Sequence, residues 1–450
     1  MAIKWMCEKI VTFKGIEKDD THPTAVDRPA FLRDYGSIIY RSQFRRQSFK
    51  TQVFLNPELD FPRTRLTHAI EVEQVGRQLS RHFAKLAKER FSKLPDSFEK
   101  DFEDLVSSSC LAHDIGQAPF GHKGEMVLKN LMSNQKELKG QENNYFEANK
   151  QNIRILIGSI SRQPFGVTCA LVDSVMKYKA ESFRDNAAKY PGYYSYEKEI
   201  IQDVVSETGT ERFRHPACYI MEAADDISYI SGDIQDALKL GLISDQSAEK
   251  ILTNIQRLDK NLNAKPITWN QVLNECQDGN DYSNVLTYVL RFLVSTARKN
   301  IESFFHQVPS GSDINSLPKI MDSYFSANKC GLNLLYSDKS KGLKETKIDI
   351  YRNHILNDHE IARNEILAEK VIVDLWAVAT DNLLGEHFEQ TSLFKIMPKH
   401  VQKHIISARK DDTFENQKYQ IIADYISGMT DRYAINLWRK IFDPSTLKSS

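Results

Sequence analysis

The chain has little cysteine, and none of it is closely paired. Six cysteines are spread over 450 residues, and no two of them form a Cys-x-x-Cys arrangement. A disulfide framework or a cysteine-rich zinc site would need closely spaced cysteines, so neither is predicted. The first residues reach Glu8 before an apolar segment develops, which predicts no secretory signal. The expected compartment is therefore the cytoplasm.

An excess of charge and a long apolar run are also missing. The chain has 60 basic and 60 acidic side chains, so no global field draws it to nucleic acid or to a membrane. A site for a polyanion must then be a local patch. No stretch approaches the roughly 18 apolar residues of a membrane span, so no membrane partner is predicted.

Strand signals are scarce, whereas helical periodicity runs along most of the chain. In one segment, apolar residues recur at close to helical spacing, at Ile70, Val72, Val75, Leu79 and Phe83. Helices are predicted over 66–91, 102–112 and 364–384, from 125 to at least 131, and from 216 onward. The predicted fold class is all-α.

The most informative pair of residues is His113 and Asp114, side by side at the end of a predicted helix. His68 lies upstream on another helix, and Asp225 and Asp226 lie downstream on a third. Imidazole nitrogens and carboxylate oxygens suit Mn, Fe, Mg, Ni, Co or Zn ions. A His-Asp pair alone is equally compatible with a helix end that binds no metal. The three elements together favour an open divalent-metal site.

A second pair, His122 and Glu125, lies just beyond this motif. If a helix begins near His122, residues three apart face the same side, one turn from each other. A carboxylate beside a histidine fixes its tautomer and raises its basicity. The spacing therefore predicts acid–base equipment for activating a water or protonating a leaving oxygen.

The acidic helix carries a polar stripe, because Asp225, Tyr229 and Asp233 recur at intervals of four residues on an otherwise apolar helix. If Asp225 binds a metal, the ring of Tyr229, one turn further along the helix, can stack on a sugar. The carboxylate of Asp233 can accept a hydrogen bond from a sugar hydroxyl. The stripe predicts a sugar-binding face.

Basic residues precede the histidines. Guanidinium groups bind phosphates in a bidentate manner, so these residues are candidates for holding a polyphosphate. A solvated basic surface is the competing interpretation. The candidates are Arg41, Arg45, Arg46, Lys50, Arg63 and Arg65.

Three stretches carry a family resemblance. They are Thr64-Arg-Leu-Thr-His-Ala-Ile-Glu-Val72, His113-Asp-Ile-Gly-Gln-Ala-Pro-Phe-Gly-His-Lys-Gly-Glu125 and Met221-Glu-Ala-Ala-Asp-Asp-Ile-Ser-Tyr229. Together they resemble the HD-domain phosphohydrolase superfamily and, within it, the bacterial deoxyguanosinetriphosphate triphosphohydrolase (dGTPase) family. The resemblance covers about residues 27–240 and continues more loosely into the C-terminal part.

The resemblance implies hydrolysis of a deoxynucleoside triphosphate (dNTP) at the α-phosphate, with release of the deoxynucleoside and intact triphosphate. It also implies a role for each matching residue. The metal ligands are His68, His113, Asp114 and Asp225; the catalytic pair is His122 and Glu125; the substrate-binding residues are Gln52, Val53, Arg65, Tyr229 and Asp233. Family members form homo-oligomers, so a hexamer or dimer is expected, and a single-stranded DNA or nucleotide effector is a further expectation.

One position departs from the family pattern. Gln117 stands where relatives usually have asparagine or histidine. Its amide can hydrogen-bond a phosphate or a water but cannot act as an acid. If the family's residue assists protonation, catalysis here depends on His122 and Glu125.

The function predicted from the sequence is a metal-dependent dNTP triphosphohydrolase that prefers dGTP and uses Mn or Mg. The alternatives are an HD-type nucleotide phosphodiesterase or monophosphatase, and a nucleotide-sensing regulator with weak activity. Four regions are predicted: an N-terminal, substrate-contacting arm at 1–60, an HD catalytic core at 61–245, a helical insertion at 246–345 and a C-terminal helical region at 346–450.

Overall fold

The all-α fold class is confirmed by the computed structural model, in which helices account for most of the chain. The structure describes residues 3–17, 29–53, 61–160, 164–179, 192–257, 268–271, 282–327, 358–410 and 414–443. The predicted division into four regions stays a prediction, and its boundaries near residues 60 and 345 lie outside the described residues. No helix in the described ranges is long and apolar enough to cross a membrane.

The α-helices, in chain order, have the following bounds. The first nine are α1 Ala30–Ile39, α2 Ser42–Arg46, α3 Arg65–Arg90, α4 Phe98–Ala112, α5 Gly121–Ser133, α6 Ala148–Leu156, α7 Cys169–Val175, α8 Lys198–Thr208 and α9 Pro216–Lys239. The next eight are α10 Asp245–Arg257, α11 Ser283–Gln307, α12 Leu317–Ala327, α13 His359–Leu383, α14 Ser392–Ile396, α15 Lys399–Arg409, α16 Phe414–Ser427 and α17 Asp431–Phe442. The predicted helices all occur, with ends that move by a few residues.

A small antiparallel sheet joins the N-terminal segment to the centre of the chain. Its strands are β1 Ile10–Thr12, β2 Gly15–Glu17 and β3 Val167–Thr168, in the order β2-β1-β3. Ile10 pairs with Thr168 and Val11 with Val167. Strands of two or three residues carry too little alternation to be read from a sequence.

The first apolar core lies between α3, α4 and α9, and α11 packs on two of these helices. Gly76 allows the close approach of α3 and α4, because a Cβ atom there would lie 2.5 Å from the Cys110 Sγ. Val72, Val75 and Leu79 are buried as the periodicity predicts. Ile70 is an error in that pattern: its side chain is 52% exposed.

A second apolar core joins the C-terminal helices to α5. Helix α13 packs against α5, α16 and α17, and Val127, Leu128 and Met132 of α5 are buried in this core. Gly124 is required because a Cβ atom there would lie 1.9 Å from the carbonyl oxygen of Pro119. Helix α5, which carries His122 in its first turn, is therefore positioned by the C-terminal region.

A buried ionic cluster connects the two cores at α6 and α16. The guanidinium of Arg154 donates to Asp424 at 3.0 Å and to Glu197, and all three side chains are almost fully buried. Burial opposes the charged form, but the two carboxylates hold the pKa of Arg154 above its ordinary value. Gln151 donates to the same Asp424 at 2.9 Å.

We predict that Arg154→Ala lowers the free energy of unfolding by about 3–5 kcal/mol, because it leaves buried carboxylates without a cation. Urea unfolding followed by circular dichroism measures the change. Arg432→Ala removes an exposed arginine from α17 and serves as the control, with an expected change within about 0.5 kcal/mol. A loss below about 1 kcal/mol for Arg154→Ala would contradict the importance of the cluster.

Candidate metal and catalytic site

Three helices of the first core bring the predicted metal ligands together. His68 lies in the first turn of α3, which begins where the Thr64 side chain accepts a hydrogen bond from the Thr67 amide. His113 directly follows α4, and Asp225 lies in α9. The His68 Nε2 is 3.1 Å from the Asp225 Oδ1, and the His113 Nε2 is 3.5 Å from the same oxygen.

The ring of His113 is fixed in one tautomer. Its Nδ1 lies 2.6 Å from the Cys110 carbonyl oxygen, so the Nδ1–H donates and the Nε2 carries a lone pair. This Nε2 is buried, lies 3.6 Å from the Asp114 Oδ2 and has no hydrogen-bond partner among the described residues. Burial opposes the imidazolium, but Asp114 and Asp225 hold the pKa of His113 above its ordinary value. The surroundings of this nitrogen favour a positive charge.

The donor set fits a divalent cation. His68, His113 and Asp114 each offer a ligand atom, and these atoms all lie within 4.8 Å of one another. Asp225 is outside that group of three, but its Oδ1 contacts both histidines. Burial raises the pKa of Asp114, but His113 and Arg65 outweigh it and hold the value at about 2. Two nitrogens and two ionised carboxylates form a mixed set suited to Mn, Mg or related ions.

Lys177 belongs to this site and was not predicted from the sequence. It follows the short helix α7, and its Nζ lies 3.2 Å from the Asp225 Oδ2. Burial disfavours its charge, but Asp225 and Glu222 hold the pKa of Lys177 above its ordinary value. The only signal in the sequence is a lysine directly after the apolar run that ends α7. It adds a fixed positive charge beside the predicted metal ligands.

Arg65 lies between the predicted metal ligand Asp114 and the start of α5. Its guanidinium donates to the Asp114 Oδ2 at 2.5 Å. A Cβ atom on Gly121 would lie 3.5 Å from both the Arg65 guanidinium and the Gln52 carbonyl oxygen. The predicted phosphate-binding residue, the segment of Gln52 and the start of α5 are therefore neighbours.

Gln117, the departure from the family pattern, faces the predicted metal ligand Asp114. Its Nε2 lies 3.5 Å from the Asp114 Oδ1, and its backbone amide donates to the Asp114 carbonyl at 3.2 Å. Gly116 allows this turn to approach α6 closely, because a Cβ atom there would lie 2.3 Å from the Asn152 amide nitrogen. Gln117 is thus placed to orient Asp114.

His122 and Glu125 form the predicted pair at the start of α5. The His122 Nδ1 lies 3.5 Å from the Glu125 Oε2, and the side chain of His122 is 91% exposed. The hydrogen bond to Glu125 raises the pKa of His122. Glu125 also accepts a hydrogen bond from the Ala148 amide at 2.8 Å. Although burial acts the other way, His122 and Ala148 hold the pKa of Glu125 below its ordinary value.

The predicted sugar-binding residues are buried or half-buried. Tyr229 is half-buried on α9, and Asp233 is buried one turn further on. Val53 is half-buried against the first core. The Oε1 of Gln52 is buried without a hydrogen-bond partner among the described residues. The side chain of Gln52 thus offers a buried polar atom to a ligand or a water.

The basic residues upstream of His68 do not form one phosphate-binding group. Arg63 donates to Glu71 at 2.9 Å and also to Asp236, so it joins α3 to α9. Burial lowers the pKa of Lys50 to about 7, which weakens it as a fixed cation. Besides Arg63, four of these residues donate to backbone carbonyls: Arg41 to Pro164, Arg45 to Tyr40, Arg46 to Gly428, and Lys50 to Gln117 and Ser427. Of the predicted group, Arg65 is the one bonded to a predicted metal ligand.

Comparison with known proteins gives a consistent set of relatives. A family model described as a phosphohydrolase-associated domain matches residues 347–440. The chain is 27% identical to a deoxyguanosinetriphosphate triphosphohydrolase-like protein of Synechocystis sp., over 96% of this chain and 98% of that protein. A like-named protein of Listeria innocua is 26% identical, over 92% and 94%. The deoxyguanosinetriphosphate triphosphohydrolase of Yersinia enterocolitica is 27% identical, over 91% and 93%.

We predict that Glu125→Gln lowers the pKa of His122, because the neutral amide no longer stabilises the imidazolium. At a fixed pH near 7, a smaller fraction of His122 is then protonated. An NMR titration of the His122 ring protons measures the shift. Glu365→Gln is the matched control, since Glu365 makes only a smaller contribution to the same pKa. An equal shift in both variants, or none in Glu125→Gln, would contradict the pairing.

Proposed function

We propose, because the chain belongs to the deoxyguanosinetriphosphate triphosphohydrolase family, that it hydrolyses a deoxynucleoside triphosphate, preferably dGTP, to the deoxynucleoside and inorganic triphosphate. The observation that carries the proposal is the position of Arg65. It donates to Asp114 of the metal-ligand set and neighbours the start of the helix that holds His122. The residues of the proposed cation site, the proposed phosphate contact and the proposed acid–base pair are thus neighbours.

His68, His113, Asp114 and Asp225 are the proposed ligands of one divalent ion, Mn or Mg. Such an ion, when bound, supplies Lewis-acid polarisation of a phosphate oxygen and lowers the pKa of a bound water. The buried lone pair on the His113 Nε2 and the ionised carboxylates support this assignment. Gln117 donates toward Asp114 and supports its orientation.

His122 is the proposed proton carrier. Glu125 lies beside the His122 Nδ1, so the Nε2 of the ring is left to exchange a proton with the substrate or a water. The raised pKa keeps more of His122 protonated near neutral pH than an ordinary histidine. This state suits donation of a proton to the leaving 5′-oxygen, and the exposed ring can reach a substrate without a rearrangement of the core.

Different residues around His122 and Glu125 are the proposed contacts of the phosphates and of the sugar. Arg65 and Lys177 are the proposed contacts of the phosphates, because both are cationic side chains next to the metal ligands. The proposed contacts of the deoxyribose are Gln52, Val53, Tyr229 and Asp233. The buried Oε1 of Gln52, which has no hydrogen-bond partner among the described residues, supports a hydrogen bond to the sugar.

The predicted homo-oligomer, hexamer or dimer, and the predicted nucleotide or single-stranded DNA effector stay predictions. The cytoplasmic location also stays a prediction. It is consistent with a dNTP substrate and with free thiols at the described cysteines.

We predict that purified protein incubated with each dNTP and Mn or Mg releases inorganic triphosphate, fastest from dGTP. Ion-exchange chromatography separates triphosphate from pyrophosphate and orthophosphate. His122→Ala is expected to reduce turnover by about 10²–10⁴-fold, the usual contribution of a general acid or base. Release of pyrophosphate or orthophosphate would favour a phosphodiesterase or monophosphatase instead, and nucleotide binding without turnover would favour a regulator.

We predict that Asp225→Ala weakens Mn binding by about 100-fold or more, since loss of even an outer-shell partner typically costs 10–100-fold. Asp226→Ala removes the neighbouring carboxylate and is the matched control, with affinity within a few-fold of the wild type. Free Mn is measured directly by electron paramagnetic resonance, without substrate. A larger loss in Asp226→Ala than in Asp225→Ala would show that the ligand was assigned to the wrong aspartate.

A further inference from the structure

The carboxylate of Asp431 reaches from the C-terminal region into the site. Asp431 is the first residue of α17 and is buried. Its Oδ1 accepts a hydrogen bond from the Phe120 amide at 2.8 Å, and its Oδ2 accepts one from the Thr51 amide at 2.8 Å. The two amides belong to segments far apart in the sequence, so one side chain joins them.

The first of these segments leads directly into the acid–base pair. Phe120 has a φ of 64°, a left-handed conformation that is costly for a bulky residue, and Gly121 follows with a φ of 60°. The Phe120 side chain is buried in the second apolar core, with residues of the C-terminal helices. Both the amide and the ring of Phe120 are therefore held by the C-terminal region, two residues before His122.

The second segment carries the proposed sugar contacts. Thr51 forms an isolated bridge with Thr64, and the Arg65 amide donates to the Lys50 carbonyl at 3.0 Å. Gln52 and Val53 follow directly. Asp431 is thus bonded to the residue before Gln52 and to the residue that opens the turn into His122.

Lys50 makes a parallel connection. Its ammonium donates to the Gln117 carbonyl and, at 2.7 Å, to the Ser427 carbonyl at the end of α16. The same three parts of the chain are joined again: the segment before Gln52, the turn after Asp114 and the C-terminal region.

We propose that Asp431 is a positioning residue. It fixes the segment that contains Gln52 relative to the start of α5, which carries His122. The proposal rests on the proposed function, in which Gln52 and Val53 contact the sugar and His122 transfers the proton. The C-terminal region then contributes to turnover through this carboxylate, without a contact to the metal ligands. A displacement of about 1 Å between reacting groups can cost about 10²-fold in rate.

Two variants and one control test the proposal. Asp431→Asn keeps the size and one acceptor oxygen, so one of the two amides loses its partner, whereas Asp431→Ala leaves both without one. Thr430→Ala removes the side-chain cap of the same helix, in which the Thr430 Oγ1 accepts a hydrogen bond from the Tyr433 amide at 3.1 Å. Among the described residues, the Thr430 side chain makes no hydrogen bond to either segment. We expect kcat for the preferred dNTP to fall about tenfold in Asp431→Asn and about 100-fold in Asp431→Ala, with Mn affinity unchanged.

Hydrogen exchange measured by mass spectrometry provides a readout that does not depend on activity. In Asp431→Ala, deuterium uptake is expected to rise in peptides covering 48–53 and 114–122, with little change in α3 and α9. Thr430→Ala is expected to change neither these two segments nor kcat. If Asp431→Asn is the only variant that folds, the same two measurements apply to it.

Three results would overturn the proposal: wild-type kcat in Asp431→Ala, an equal loss of kcat in Thr430→Ala, or unchanged exchange in both segments. An equal loss in Thr430→Ala would show that Asp431 acts only through the stability of α17. Unchanged exchange would show that Asp431 does not hold the two segments. Absence of triphosphate release by the wild-type protein would overturn the proposed function instead, and the exchange pattern would still decide whether Asp431 joins the two segments.

Discussion

The buried lone pair of the His113 Nε2 is the constraint on which the site depends. The Cys110 carbonyl fixes the tautomer, and the carboxylates of Asp114 and Asp225 lie at 3.5–3.6 Å from the nitrogen. Such a nitrogen is costly to bury unless a cation or a proton meets it. The burial and fixed orientation of this nitrogen therefore support His113 as a proposed metal ligand.

Two cationic side chains, Arg65 and Lys177, lie beside the proposed metal ligands. In the structure, Arg65 is bonded to Asp114 and Lys177 to Asp225. In the proposed function, Asp114 and Asp225 would hold a divalent ion that offsets their charge, which would leave Arg65 and Lys177 to contact the phosphates of a nucleotide. The proposed metal site and the proposed phosphate contacts thus share the same two carboxylates.

Much of this was predictable from the sequence. Helical periodicity gave the fold class, and the paired residues His113–Asp114 and His122–Glu125 predicted groupings that the structure brings together. Lys177 and Asp431 were missed because each acts across a long sequence separation from a position with no local motif. Arg63 was grouped with the phosphate-binding candidates because sequence proximity cannot show that Glu71 and Asp236 already use its guanidinium.

Crystals grown with Mn and measured at the Mn absorption edge would test the central claim directly. The account predicts one anomalous peak bonded to the His113 Nε2, with His68, Asp114 and Asp225 as its other protein ligands. A protein that binds Mn elsewhere, with the His113 Nε2 protonated and hydrogen-bonded to a carboxylate, would contradict it.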